Sequence, residues 1–275
     1  MEQNRTPAGR PYAGEGGYLQ MDIAAFLIDI DGVLHVGDRP VNGARESLRA
    51  LEERGYPYRF VSNTTRRSRR SLAERLQGLG FSIPENAIVT APLAAVALMK
   101  ERGWTRCFLL STGDVHRDFE EAGITLSEDE ADVVVVADAG EHFTYERMNA
   151  AFRLLAEGAA LMALEKDRCW MGSGGLMLSA GPFVAALEYA AGTRAEVVGK
   201  PSREFFALAL EQMDADFETT AMIGDDVATD IGGAQACGMQ GILAKTGKYR
   251  EDAVRNSGIV PDLVIDSIAD ITDHL

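Results

Sequence analysis

The clearest structural signal in the chain is 24-AAFLIDIDGV-33, an apolar run that ends in two aspartates and a glycine. Its length and its bulky side chains predict a strand over 24–30 that is buried on both faces, as strands of parallel sheets are. Gly32 allows the chain to turn away sharply after that strand. Asp29 and Asp31 are therefore expected at the C-terminal end of a parallel strand, which is where open α/β sheets bind ligands.

Beyond this strand, short apolar runs alternate with segments of helical period. This alternation is typical of βαβ units and predicts a parallel sheet covered by helices on both faces. Helices are expected over 44–54 and 69–79, each followed by a glycine, then from Pro92 onwards, over 203–213 and over 230–237. Further strands are expected at 58–61, 88–90, 107–110, 133–137, 160–164, 196–198, 221–224 and 241–244.

The same alternation restarts near residue 91, which divides the chain into a two-part core and an insertion. We predict an α/β fold with a Rossmann-like parallel-sheet core, formed by residues 21–90 and 196–275, and a second α/β domain at 91–195 inserted into it. Residues 1–20 contain four glycines and two prolines with almost no aliphatic side chains. They cannot bury enough apolar surface to fold, so we expect a flexible tail there.

The composition excludes several classes of partner. Of 275 residues, 27 are basic and 42 are acidic; the resulting charge of −15 disfavours nucleic-acid backbones and anionic membranes. No run approaches the roughly 18 apolar residues of a membrane span, and no secretory signal is recognisable, so we expect a cytoplasmic protein. Cys107, Cys169 and Cys237 form no CxxC pair. We therefore expect neither disulfides nor a zinc cluster, and we place each cysteine in the core.

Polar side chains at the ends of two predicted strands suit phosphoryl chemistry. A carboxylate at Asp29 can attack phosphorus as a nucleophile, and Asp31 can protonate the leaving oxygen and later activate water. Ser62 and Asn63 end the strand at 58–61 and offer a hydroxyl and an amide to phosphate oxygens. Taken alone, the aspartate pair is also compatible with a turn or a helix N-cap, and Ser62–Asn63 with a capped loop.

Charged residues at two later strand ends extend this pattern. Lys200 follows the strand at 196–198, and its compact ammonium can neutralise both a phosphate and a nucleophile. Asp225, Asp226 and Asp230 follow the strand at 221–224. Three carboxylates within six residues repel one another, and a hard cation such as Mg²⁺ is the usual reason for such a cluster.

Four motifs in this order resemble the haloacid dehalogenase superfamily of phosphohydrolases. They are DIDGV at 29–33, VSNTT at 61–65, VGKPS at 198–202 and IGDDVATD at 223–230. The insertion between the second and third motifs resembles the α/β cap domain of subclass IIA. Within that subclass, HVGDRPVNGA at 35–44, GPFVAALEYA at 181–190 and GILAKTGKYR at 241–250 look most like the phospholysine phosphohistidine inorganic pyrophosphate phosphatases and their homologues.

The resemblance implies a role for each matched residue. It implies that Asp29 forms an aspartyl-phosphate and that Asp31 is the general acid and base. It further implies that Mg²⁺ is held by the Asp29 carboxylate, the Asp31 main-chain carbonyl and Asp225. By the same resemblance, Asp226 or Asp230 supports the metal through water or by holding its direct ligands, and Ser62, Asn63 and Lys200 hold the phosphoryl oxygens.

The implied activity is a Mg²⁺-dependent phosphatase acting on a small phosphorylated molecule, and the resemblance is compatible with a homodimer. Three alternatives remain open. Carbon–halogen hydrolysis is disfavoured by Asp31, since a departing halide needs no proton. A phosphotransferase, or a non-catalytic protein that retains the fold, would carry the same motifs.

Outside the motifs, three features could border the site. They are the arginines at 66, 67, 69 and 70, His35, and the segment 166–182 with Arg168 and Trp170. We interpret the arginines as a solvated helix face that pairs with Glu74 and other acids, and His35 as a loop histidine. The segment 166–182 is the best candidate for substrate selection because it would overhang the site, although a plain surface loop is an equal alternative.

Overall fold

The computed structural model describes residues 22–172 and 174–275, so the expected tail at 1–20 lies outside the described residues. The strands are β1 Ala25–Asp29, β2 His35–Val36, β3 Arg39–Pro40, β4 Tyr58–Ser62, β5 Ile88–Thr90, β6 Arg106–Leu110, β7 Thr125–Leu126, β8 Val133–Val136, β9 Ala160–Ala163, β10 Cys169–Gly172, β11 Gly175–Leu178, β12 Glu196–Val197, β13 Thr220–Gly224, β14 Gln240–Ala244 and β15 Leu263–Ile265. The α-helices are α1 Ala44–Glu53, α2 Arg69–Gly78, α3 Ala91–Glu101, α4 His116–Glu121, α5 Tyr145–Ala156, α6 Gly181–Ala191, α7 Arg203–Glu211, α8 Gly233–Ala236 and α9 Glu251–Ser257.

β1 lies inside a six-stranded parallel sheet with the strand order β15-β14-β13-β1-β4-β5. All five of its residues are buried. Phe26 and Ile28 pack into one hydrophobic cluster with α1 and α2, whereas Leu27 packs into another with α3, α7 and α8. Helices thus cover both faces of the sheet, which explains why β1 is apolar throughout and does not alternate.

A second parallel sheet has the order β12-β9-β8-β6-β7. Its central strand β8 consists of four buried valines. Val134 and Val136 pack with α5 and α6, while Val133 and Val135 pack on the side of α3 and α4. The strand expected at 196–198 pairs with β9 and so belongs to this sheet, not to the one that contains β1. The predicted α/β class with a parallel-sheet core is confirmed.

Two antiparallel hairpins lie outside these sheets, and the sequence patterns predict neither of them. β2 pairs with β3 directly after the first motif, and β10 pairs with β11 within the segment 166–182. Cys107 and Cys237 are buried as expected, but Cys169 is exposed on β10. The core placement of Cys169 is therefore wrong, because a two-stranded hairpin cannot bury both of its faces.

The elements near the predicted site follow the sequence expectations closely, with one informative exception. A helix was expected over 230–237, but a π-helix over Val227–Gly232 comes first and the α-helix α8 follows it. π-Helical turns occur frequently at functional sites. None of the helices in 22–172 and 174–275 is long and apolar enough to cross a membrane.

Candidate active site

Three neighbouring strands bring the predicted motifs together. β1 lies between β4 and β13, and all three run parallel, so they end at the same edge of the sheet. Asp29 ends β1, Ser62 ends β4 and Asp225 follows the last residue of β13. Strand order also changes direction at β1, which is the position where open α/β sheets bind ligands.

Lys200 links the first and last motifs through a buried ion pair. Its Nζ lies 2.6 Å from Oδ1 of Asp29 and 2.7 Å from Oδ1 of Asp230. The side chains of Lys200, Asp29 and Asp230 are 4%, 8% and 1% exposed. Burial of three charges is tolerated here because opposite charges meet at hydrogen-bond distance.

Asn63 is engaged with the main chain of Lys200. Its Nδ2 donates to the Lys200 carbonyl oxygen at 2.9 Å, and its Oδ1 accepts from the Lys200 N–H at 2.8 Å. The sequence predicts that Asn63 binds phosphoryl oxygens. The observed pair of hydrogen bonds fixes the segment that carries Lys200, 137 positions away in the chain, and the binding of phosphoryl oxygens by Asn63 stays a prediction.

The carboxylates of Asp29, Asp225 and Asp230 are buried, and one oxygen from each lies within 4.8 Å of the others. Oxygen ligands at such spacing suit a hard divalent cation such as Mg²⁺. Asp230 belongs to this cluster, whereas Asp226 does not. The Asp31 side chain is 65% exposed and is not part of the cluster, so only its main chain remains available there.

The segment after β13 orders its three aspartates by hydrogen bonds. Oδ1 of Asp226 accepts from the N–H groups of Ala228 and Thr229, at 3.0 and 3.1 Å, and so caps the π-helix. The N–H of Asp226 donates to Oδ2 of Asp230 at 3.1 Å. The π-helical turn thereby turns Asp230 back toward β1, while Asp226 acts as a cap at the rim.

Glycine is required where the first and last motifs meet. Gly32 has φ 97°, and a Cβ at this position would collide with the Asp225 carboxylate. The glycine that follows the two aspartates in the sequence therefore serves two purposes: it permits the turn, and it leaves space for Asp225.

Burial and mutual repulsion perturb the charges of this cluster. Burial raises the pKa of Asp29 well above its usual value; Asp230 and Asp225 raise it further, and Lys200 opposes the shift. Burial likewise raises the pKa of Asp225 to about 6, although the Lys248 N–H lowers it. For Lys200, burial lowers the pKa, but the carboxylates of Asp230 and Asp29 prevail and raise it. Such perturbed carboxylates are typical of functional sites and of cation sites.

His35 lies next to the site, on strand β2 and not in a loop as expected. It is buried, its Nδ1 lies 2.9 Å from the Gly37 carbonyl oxygen, and its Nε2 lies 3.6 Å from Oδ1 of Asp31. Burial lowers its pKa, against the opposing charge of Asp31. The i,i+4 spacing from Asp31 was the available signal, but only the hairpin β2–β3 turns the ring toward that aspartate.

Three of the four arginines after the second motif, Arg66, Arg69 and Arg70, form ion pairs. Arg66 Nε donates to Asp138 at 2.9 Å, and its guanidinium lies 5.2 Å from the centroid of the Trp170 ring. Arg69 pairs with Glu85, and Arg70 with Glu85 and Glu121. Ion pairing was expected, but with Glu74 as the named partner. Arg66 instead connects the second motif to the second sheet and to the hairpin β10–β11.

The fold and the four strand-end motifs define a hydrolase of the haloacid dehalogenase-like class, and the chain belongs to that family. The family model "Haloacid dehalogenase-like hydrolase" matches residues 26–125, and a second model of HAD-hydrolase-like proteins matches residues 197–271.

Individual relatives are similar over nearly the whole chain. Human haloacid dehalogenase-like hydrolase domain-containing protein 2 is 45% identical, over 92% of this chain and 96% of that protein. Human phospholysine phosphohistidine inorganic pyrophosphate phosphatase is 38% identical, over 98% and 97%. The predicted resemblance is thus confirmed.

Solved structures of phosphatases share the fold. A 4-nitrophenylphosphatase from Thermotoga maritima superposes with a TM-score of 0.87 at 27% identity, over 94% of this chain and 99% of that one. A glycerol phosphate phosphatase from Mycobacterium tuberculosis, solved in complex with magnesium, gives 0.80 at 26% identity, over 90% and 76%.

Proposed function

We propose that this protein is a Mg²⁺-dependent phosphatase that hydrolyses a small phosphorylated molecule through an aspartyl-phosphate on Asp29. The observation that carries the proposal is the buried Asp29 carboxylate at the C-terminal end of β1, 2.6 Å from the Lys200 ammonium and within the Asp29–Asp225–Asp230 cluster. The phosphatase relatives support it, since one is 38% identical over nearly the whole chain and another shares the fold.

Asp29 and Asp31 divide the chemistry between them. An Asp29 oxygen forms a bond to phosphorus as the bond from phosphorus to the leaving group breaks, and Asp31 gives its proton to the departing atom. Asp31 then takes a proton from water, whose oxygen attacks phosphorus and releases phosphate and the Asp29 carboxylate. The 65% exposure of the Asp31 side chain supports this role, because it leaves Asp31 accessible to leaving group and water.

The donor set of the carboxylate cluster fits Mg²⁺. Asp29, Asp225 and the main-chain carbonyl of Asp31 would hold the ion, and the position of Asp230 makes it a further candidate ligand. When bound, Mg²⁺ supplies positive charge that stabilises the phosphoryl group during transfer.

Lys200, Ser62 and Asn63 position the phosphoryl group. Lys200 offers its charge directly, while Asn63 acts through Lys200 by holding its main chain. The Ser62 oxygen accepts from the Thr64 N–H at 3.1 Å, so its own hydrogen is free to reach a phosphoryl oxygen. Asn63 is thus proposed as a positioning residue.

We propose that residues 21–90 and 196–275 form the core domain and residues 91–195 the cap domain, with β12 at 196–197 extending the sheet of the cap, and that the cap limits access to the site. The contacts of Arg66 with Asp138 and Trp170 support this, because they bring the second sheet and the hairpin β10–β11 to the rim of the core. A cap in that position excludes water and restricts the leaving group.

The test is phosphate release from pyrophosphate, a phosphoramidate, nucleoside monophosphates, phosphoglycolate and p-nitrophenyl phosphate, with Mg²⁺ and with EDTA. We expect turnover that needs Mg²⁺ and that is lost in Asp29→Asn, which removes the nucleophile at nearly constant volume. An unchanged circular dichroism spectrum would show that the variant folds. Retained activity in Asp29→Asn would refute the nucleophile. Transfer to an added alcohol would point to a phosphotransferase, and no release from a folded, Mg²⁺-binding protein would favour a non-catalytic role.

A further inference from the structure

The loop after β14 presses against the candidate site. The Lys248 N–H donates to Oδ2 of Asp225 at 2.6 Å. Gly247 has φ 52°, and a Cβ at this position would collide with the Asp225 carboxylate and approach the Gly32 Cα at 2.5 Å. Two contacts with Asp225 thus fix the path of this loop: the hydrogen bond from the Lys248 N–H and the close packing of Gly247. It brings the Lys248 side chain to the rim, where none of the proposed catalytic steps uses it.

The Lys248 ammonium is weakly engaged and accessible. Its side chain is 63% exposed, and Nζ lies 3.5 Å from Oδ2 of Asp226. The other oxygen of Asp226 keeps its two hydrogen bonds within the π-helix. Lys248 can therefore turn from Asp226 to a ligand without leaving a buried group unpaired, and an exposed pair of this kind has little stability to lose.

The field around Lys248 comes from both the core and the segment after β9. Lys248 is positively charged at neutral pH, as an ordinary lysine is. The carboxylates of Asp226, Asp167, Asp29 and Asp230 all lie within electrostatic reach of its ammonium. Its charge therefore acts both on the proposed nucleophile and on Asp167 of the segment 166–182.

A second anion near this site needs its own counter-charge. Lys200 is buried between Asp29 and Asp230, and its charge is already assigned to the phosphoryl group that is transferred. Any further negative charge on a substrate would meet the carboxylates of Asp31, Asp167 and Asp226 at the rim. Without a local cation these carboxylates would repel it.

We propose that Lys248 forms an anion subsite beside the phosphoryl site and binds a negatively charged group on the leaving part of the substrate. The subsite rests on the proposed phosphatase function and specifies its substrate class. It favours small compounds with a second phosphate or a carboxylate close to the bond that breaks, and it disfavours phosphate esters whose leaving group is neutral.

The test compares pyrophosphate with p-nitrophenyl phosphate, whose leaving group carries no second anionic group. In Lys248→Met we expect the ratio of kcat/KM for pyrophosphate to that for p-nitrophenyl phosphate to fall about tenfold, the loss expected for a charge-assisted hydrogen bond at a partly exposed site. Lys248→Arg should restore most of the ratio. Lys245→Met is the matched control. Lys245 lies in the same loop as Lys248, but its ammonium pairs with the exposed Asp266, which follows β15. An unchanged ratio, or an equal loss for both substrates, would overturn the subsite.

A binding measurement separates this inference from the proposed catalysis. Calorimetric titration of Asp29→Asn with pyrophosphate and with inorganic phosphate, at fixed excess Mg²⁺, needs no turnover. Adding Lys248→Met should weaken pyrophosphate binding about tenfold more than phosphate binding. If the wild-type protein releases no phosphate from any compound, the proposed function fails while this difference still supports the subsite. Equal effects on the two ligands would refute it.

Discussion

Asp29 and Lys200 are buried charges whose energies depend on each other. Burial penalises both, and their 2.6 Å contact offsets much of that penalty. Removing Lys200 leaves Asp29 buried without compensation, at a cost of roughly 3–5 kcal/mol, whereas removing Asp29 leaves Lys200 with Asp230 as its counter-charge. Asp29 has a second source of strain, since Asp225 and Asp230 raise its pKa by repulsion. A cation that neutralises this repulsion should stabilise the fold as well as the reaction.

The first residue-scale prediction concerns that cation. Asp225→Asn removes one carboxylate of the cluster, so the rise in melting temperature that Mg²⁺ gives the wild-type protein should largely disappear. Thermal unfolding with and without Mg²⁺ measures this rise in melting temperature for both proteins. Asp266→Asn is the control, because the Asp266 side chain is exposed and pairs with Lys245 on the surface. An equal Mg²⁺ effect in Asp225→Asn and wild type would contradict the metal site.

A second prediction tests the space that Gly32 leaves for Asp225. Gly32→Ala should destabilise the protein by several kcal/mol, because it adds a positive-φ strain of about 1 kcal/mol to a direct collision. Gly37→Ala is the control for a positive φ without a collision, since Gly37 has φ 58° and nothing lies within 4 Å of its added Cβ. Urea unfolding measures the loss of unfolding free energy in both variants. Similar losses would show that the collision relaxes at little cost.

At the scale of elements, the N-terminus of α2 joins the two sheets. Ser68 caps the helix by accepting from the Ser71 N–H, and its hydroxyl donates to Asp114 at 2.9 Å. Asp114 lies in the loop after β6 of the second sheet and also accepts from the Ser68 N–H at 3.0 Å. The Ser68 side chain thus caps the N-terminus of α2 and also hydrogen-bonds to a loop of the second sheet.

The corresponding prediction compares two helix caps. Ser68→Ala should cost about 1–2 kcal/mol of unfolding free energy, more than Ser202→Ala, for which we expect about 0.5–1 kcal/mol. Ser202 also caps a helix, α7, but its hydroxyl donates to the neighbouring Glu204 and not to the other sheet. Chemical denaturation measures both losses. If the two variants lose the same amount, the contact of Ser68 with Asp114 adds nothing to the cap.

At the scale of the whole molecule, acidic side chains of the second sheet's helix and loops hold the core segment 66–71. Asp118 of α4 accepts from the Arg69 N–H with both oxygens, at 3.0 and 3.1 Å. Burial raises its pKa to about 6, against the opposing effect of Arg69. The contact between the two sheets therefore carries a carboxyl group that resists ionisation.

This pKa predicts a dependence of stability on pH. Because the folded pKa lies above the unfolded value, the stability contributed by protonated Asp118 is present at low pH and is lost as the pH rises through about 6. Asp118→Asn keeps an acceptor but cannot ionise. Its unfolding free energy relative to wild type should increase by about 1 kcal/mol between about pH 5 and about pH 7.5. A difference that stays constant across this range would show that Asp118 ionises normally.

The sequence by itself determined the local elements and the chemistry that they carry. β1 and β13 were predictable because buried parallel strands are largely apolar runs, and the aspartates after them follow from position alone. The C-terminal ends of these strands meet because neighbouring parallel strands end at the same edge of the sheet. The two-sheet organisation followed from the restart of the same pattern near residue 91.

Only the tertiary structure decided how the site residues divide their work. Asn63 holds Lys200, Asp230 joins the carboxylate cluster while Asp226 caps a helix, and Lys248 reaches the rim. These assignments depend on contacts between residues that are far apart in the chain, and on which way a π-helical turn directs its side chains. Local pattern carries residue type and spacing along one strand or helix, whereas the partner of a polar atom is fixed by packing between elements.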